Sequence, residues 1–260
     1  MKLAVEITGA TDGTPFVWGH GLTSSMAAED DMGVFGWSSL EGVRLVRYDA
    51  PSHGRSPLGD TAEAHRWDRL AADMLRVADQ AGFDSFVAGG ASMGAATALH
   101  AAVQEPDRVD GLVLVIPPTA WETRAAQAGV YRMAFQIVED GGIDALLDLE
   151  RQMPGQGPLA DPAIREAAYR NLQDMAARGL MRAFEGAAQS DLPTREDIAE
   201  LRQPTLILAW TDDPGHPLST ANELLQLLPH ADLHVAESPE AVKADWPAVL
   251  QSFFAGLPGV

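Results

Sequence analysis

Short apolar runs bounded by turn residues recur through the first half of the chain, at 15–18, 43–48, 85–88 and 111–116. Their length and their flanking glycines, prolines and polar residues predict buried strands. Helical patterns lie between several of them. Trp67, Leu70, Ala71, Met74, Leu75 and Ala78 recur at three- and four-residue steps, and 95–103 reads as a buried, alanine-rich helix. Strand then helix, repeated, predicts an α/β fold with a doubly wound, mostly parallel sheet covered on both faces.

From Trp121 to about Asp191 the strand signal vanishes, and the pattern becomes polar helices broken at Gly141-Gly142, at 154–158 and near Gly179. The alternation resumes with a strand at 205–210, a helix at 219–228, a strand at 232–236 and a last helix from about 244 to 254. The chain therefore divides into an α/β core, 1–120 and 192–260, and an inserted helical segment, 121–191. Within that segment Trp121, Tyr131, Met133, Phe135, Met153, Tyr169, Met175, Met181 and Phe184 recur loosely at helical spacing. Most are expected to pack the insertion onto the core and some to face a cleft.

At 260 residues, 46% of them apolar, the chain is long enough to bury a full-sized core. The formal net charge of −19 makes nucleic acid and anionic lipid poor partners. With no cysteine, disulfides, thiolate catalysis and cysteine-held metal centres are excluded. The N-terminus reaches Glu6 before any apolar run of signal-peptide length, and no stretch approaches the ~18 apolar residues of a membrane span. A cytoplasmic protein is the expectation; a homo-oligomer is left open.

The sharpest chemical feature is Gly90-Ala91-Ser92-Met93-Gly94, between the apolar run ending at Ala88 and the helix beginning near Ala95. A serine on so sharp a strand-to-helix turn projects its hydroxyl from the sheet, and small neighbours let strand and helix approach. The helix N-terminus adds free N–H groups for a developing oxyanion. Upstream, Trp18-Gly19-His20-Gly21-Leu22 follows another apolar run and could aim a second N–H at the same oxygen, so Leu22 and Met93 form the candidate oxyanion pair. His20 itself is expected to brace backbone. A third segment, Tyr48-Asp49-Ala50-Pro51-Ser52-His53-Gly54-Arg55-Ser56, is a turn-rich loop at the end of a strand.

These three segments, in this order and spacing, resemble the α/β-hydrolase superfamily over nearly the whole chain. The resemblance implies a helical cap between the sixth and seventh strands of that fold, matching 121–191, and a structural role for the loop around His53. It implies a catalytic acid after the strand following the cap, in a Gly-x-x-Asp-x-x-x-Pro pattern. Here that stretch is Trp210-Thr211-Asp212-Asp213-Pro214-Gly215-His216-Pro217, with tryptophan in place of the glycine. The register selects Asp213, with Asp212 as the fallback. In the family the base is a histidine after the last strand, where this chain has Ala236-Glu237-Ser238-Pro239.

A serine hydroxyl needs a general base within hydrogen-bond reach, and the chain holds seven histidines. His234 falls inside a strand, His230 at the opposite end of the sheet, His100 two turns along a helix, and His65 at the start of a surface helix. His216 follows a strand at the same sheet edge as Ser92. It is the expected base, oriented by Asp213 or alternatively by Glu237 from the vacated histidine loop. The expected activity is that of a carboxylesterase-like serine hydrolase acting on a small ester or lactone through a Ser92 acyl-enzyme, with no cofactor or metal implied. Two alternatives stand beside it: carbon–carbon bond or enol-lactone hydrolysis on the same fold, and a non-catalytic ligand-binding homologue.

Overall fold

The computed structural model describes residues 1–257, apart from the side chain of Pro158. The strands are β1 (Val5–Gly9), β2 (Thr14–Gly19), β3 (Val43–Tyr48), β4 (Phe86–Ala91), β5 (Val109–Val115), β6 (Thr205–Trp210) and β7 (Ala231–Ala236). The helices are α1 (Met26–Met32), α2 (Trp67–Ala81), α3 (Met93–Gln104), α4 (Arg124–Glu150), α5 (Pro162–Asp174), α6 (Ala177–Ala188), α7 (Arg195–Ala199), α8 (Leu218–Leu227) and α9 (Pro239–Gly256). The strands build one sheet in the order β1-β3-β2-β4-β5-β6-β7. Every pairing is parallel except β1 with β3. The polar, half-exposed β1 was not among the expected strands.

Both faces of the sheet are covered, which is why its strands read as continuous apolar runs. On β2, Val17 faces the core under α2 and α3, while Phe16 and Trp18 face the core under α9; Leu112 and Leu114 alternate with Val113 and Val115 on β5 in the same way. Trp67, Leu70, Ala71, Met74, Val77 and Ala78 are the buried stripe of α2. The small side chains of α3 allow it to be buried nearly all round.

The order reverses between β2 and β4, which lie side by side with Gly19 opposite Gly90. In open α/β sheets the crevice at such a reversal, beyond the strand C-termini, is where ligands bind. The loops after β2 and β4 meet there.

Between β5 and β6 the chain runs through α4, α5, α6 and the short α7. The break at Gly142 is a true kink, with φ 75° and ψ −175°, and another break spans 151–156. The break expected near Gly179 lies at Met175-Ala176; Gly179 itself sits inside α6, where any side chain would meet Ser52, a Cβ there coming within 2.8 Å of Ser52 Cβ. The segment rests on loops at the C-terminal sheet edge. Asn171 bonds Ser25 and the Thr23 carbonyl after β2, and Gly157 packs on Trp210 at the end of β6. Of the expected packing residues, Met175 and Phe184 are buried, whereas Met133 and Met153 are exposed. Among the described residues no helix is long and apolar enough to cross a membrane.

Candidate active site

Ser92 stands between β4 and α3 with φ 52° and ψ −109°, a conformation that costs a side-chain-bearing residue of order 1–3 kcal/mol. The surroundings over-determine it. Ser92 N–H donates to the Val115 carbonyl at 2.9 Å, and a Cβ at Gly94 would overlap the Gly19 carbonyl oxygen. A Cβ at Gly90 would in turn overlap the Gly94 backbone. The two glycines of the motif thus let α3 start directly against β2 and β4.

The Gly19–Leu22 turn lies alongside. A Cβ built on Gly21 would be 3.9 Å from Ser92 Cβ, so this loop forms one wall beside the hydroxyl. Among the described residues neither Leu22 N–H nor Met93 N–H donates to a protein acceptor; Met93 opens α3, where the first amides have no intrahelical partner. His20 braces this turn. Its Nδ1–H donates to the Gly21 carbonyl at 2.7 Å and its Nε2 accepts from Ala50 N–H at 3.0 Å. Burial, aided by the neighbouring His53, pushes its pKa down to about 3, so the ring is neutral. His53 is also buried, its ring nitrogens against the carbonyls of Pro51 and Leu22. Neither ring is hydrogen-bonded to Ser92.

His216, in the loop after β6, brings Nε2 to 2.8 Å from Ser92 Oγ. Its Nδ1 lies 2.7 Å from Asp213 Oδ2. With the carboxylate ionised, Nδ1 carries the proton and the Nε2 lone pair faces the serine hydroxyl. Asp213 Oδ1 accepts from Gly215 N–H at 2.9 Å, and Oδ2 accepts also from Trp210 Nε1–H at 2.8 Å. Burial pushes the Asp213 carboxyl up, but the His216 hydrogen bond and charge, with the Trp210 and Gly215 donors, outweigh it and bring the pKa down to about 2. The loop is tied to the β5 end by Thr119 N–H donating to Gly215 O at 3.1 Å.

The remaining candidates do not converge on the serine. Glu237 is exposed and makes no hydrogen bond to His216 among the described residues; it lines a cleft of about 220 Å³ with Trp210, Asp212 and Ser238. Asp213 reaches His216 first because a tight turn, His216 N–H to Asp213 O at 3.1 Å, folds the two side chains together. Asp212, the fallback acid, occupies a left-handed conformation at φ 60°. His100 bonds the Asp191 carbonyl and His234 is exposed on β7. His65 is not on a surface: it is buried before α2, with Nε2 accepting from Ser52 Oγ at 2.9 Å. A larger hollow of about 600 Å³, floored by Trp37, Val43 and Arg47, includes no residue of the Ser92 site.

The family model described as the alpha/beta hydrolase fold matches residues 15–240. Among curated proteins, the chain is 26% identical over 266 residues to a proline iminopeptidase of Neisseria gonorrhoeae, covering 90% of this chain and 84% of that protein. It is 25% identical over 207 residues to 3-oxoadipate enol-lactonase 2 of Acinetobacter baylyi, covering 78% and 74%. Among solved structures, one reported in a study of carboxylesterases of the thaumarchaeon Nitrososphaera gargenis superposes with a TM-score of 0.82 over 97% of this chain and 94% of that one, at 16% identity.

Proposed function

The chain belongs to the alpha/beta-hydrolase fold family, and on that premise we propose that it is a serine hydrolase cleaving a carboxylic ester or lactone through an acyl-enzyme on Ser92. The observation that carries this reading is the pair of contacts made by His216, to Ser92 Oγ at 2.8 Å and to Asp213 Oδ2 at 2.7 Å. A base must lie within hydrogen-bond reach of the proton it takes, and a third group must orient it.

In this reading His216 Nε2 takes the hydroxyl proton as Ser92 Oγ attacks the substrate carbonyl carbon. The carbonyl π electrons move onto oxygen, and the Leu22 and Met93 N–H groups bind that oxyanion. As the tetrahedral centre collapses, the bond to the leaving alkoxide breaks and His216 returns the proton to it. Water, deprotonated by the same nitrogen, then releases the acid and restores Ser92. Asp213 stays ionised throughout and stabilises the imidazolium. The insertion over the sheet edge acts as a cap, and its apolar side chains favour a neutral, moderately hydrophobic substrate.

The test is labelling with a fluorophosphonate together with turnover of p-nitrophenyl esters. Ser92 is expected to be modified, and Ser92→Ala to abolish both labelling and turnover. Unlabelled wild-type protein that hydrolyses no ester or lactone would restore the ligand-binding alternative. The enol-lactonase relative favours a second reading, enol-lactone or carbon–carbon bond hydrolysis at the same serine. Turnover of an enol-lactone or β-diketone without p-nitrophenyl ester cleavage selects it.

A further inference from the structure

Asp213 and His216 stand on one short loop, three residues apart, so no pair of sheet strands holds the acid against the base. A carboxylate on such a loop needs an anchor from outside it. The last residue of β6 supplies one. Trp210 Nε1–H donates at 2.8 Å to Asp213 Oδ2, the same oxygen that meets His216 Nδ1. The indole is itself immobilised on two sides. It stacks parallel on Trp246 of α9 with ring centroids 5.8 Å apart, and a Cβ at Gly157 of the insertion would lie 2.6 Å from its ring. Its edge also meets the His216 ring at 6.2 Å and 87°.

We propose that Trp210 is a positioning residue for the Ser92 site, its indole N–H locking the Asp213 carboxylate in the rotamer that holds His216 over Ser92. An indole N–H donates and cannot accept, so it fixes the carboxylate without competing for the proton on His216. Rotation of Asp213 away from His216 would also break this bond, an unfavourable exchange. The proposal rests on His216 being the base.

The experiment compares three proteins with wild type on a p-nitrophenyl ester or lactone that wild type turns over. Trp210→Phe removes the N–H and part of the ring. Benzothienylalanine placed at position 210 by codon reassignment keeps the bicyclic shape and removes only the N–H. His216→Gln tests the reading beneath. The proposal expects kcat to fall about tenfold in both position-210 variants with KM within about twofold, the loss of one hydrogen bond's worth of orientation. It also expects the downfield Nδ1 proton resonance of His216 to broaden or vanish in the benzothienyl protein. Full kcat and an intact resonance in the benzothienyl protein, with loss confined to Phe, would reduce Trp210 to packing and overturn the proposal. If His216→Gln is inactive in that case, the base assignment survives alone; if His216→Gln keeps the wild-type rate, the base assignment falls and takes the proposal with it.

Discussion

His216 Nε2 meets Ser92 Oγ at 2.8 Å across 124 positions of sequence, from a loop that also carries the carboxylate on its other nitrogen. His216 and Asp213 thus both reach toward Ser92 from the end of β6, and the loop after β7 contributes no histidine.

Replacing His216 is the most direct probe of that arrangement. His216→Gln should lower kcat by at least about 10³ while leaving KM within a few fold, because the residual rate then comes from binding and the oxyanion donors. His234→Gln and His230→Gln, both exposed, should behave as wild type. Steady-state kinetics on one ester decide it; an active His216→Gln would remove the residue from the mechanism.

Asp213→Asn should cost about 10⁴ in kcat, since an amide can present N–H to the ring and favour the wrong tautomer. Glu237→Gln should change kcat less than about twofold. The Asp213 carboxylate also contributes to stability. Its pKa in the folded chain, about 2, is below the ordinary value of 3.8, so the contribution is complete above about pH 4 and is lost as pH falls toward 2. Equal kinetics for the aspartate and asparagine proteins would leave Asp213 with only this structural part.

The elbow glycines bear on folding more than on chemistry. Gly94→Ala forces a methyl group into the Gly19 carbonyl oxygen, backbone against backbone, and should destabilise by about 3 kcal/mol or more. A thermal midpoint unchanged from wild type would mean that α3 can retreat from β2 at little cost.

Two buried histidines set an acid limit. Burial lowers His20 to about 3 and His65 to about 4, both below the free value of 6.5. The unfolded chain therefore binds protons that the folded chain refuses. Stability is complete above about pH 6.5 and falls as pH drops toward the folded values, by about 1.4 kcal/mol per unit for each ring. Urea unfolding of His65→Gln should show a difference between pH 7.5 and pH 5 smaller by about 2 kcal/mol than in wild type. An identical difference would show that His65 titrates normally.

Local chemistry explains what was legible beforehand. Six of the strands, the buried α2 stripe and the Ser92 turn depend on contiguous residues: alternation, three- and four-residue spacing, and small residues flanking a serine. β1, a short edge strand in which only Val5 and Ile7 are apolar, lies outside the expected strands. The break expected near Gly179 falls at Met175-Ala176, and the reason for glycine at 179, the Ser52 side chain, lies more than a hundred residues away. His65, at the entry to α2 as expected, is buried because α6 packs over it, and a Cβ at Gly186 would reach 2.7 Å from His65 Cβ.

The sequence by itself determined the α/β alternation, the serine at the strand-to-helix turn and the small set of loops that could carry a base, because each is written in neighbouring residues. Only the tertiary structure showed the Asp213 carboxylate, on the base candidate's own loop, bonded to His216, and only it showed Trp210 donating to the same oxygen. Those contacts depend on side-chain directions within a few ångströms at the sheet edge. They are set by how α9 and the insertion pack around the β6 loop, a long-range outcome that no local pattern encodes.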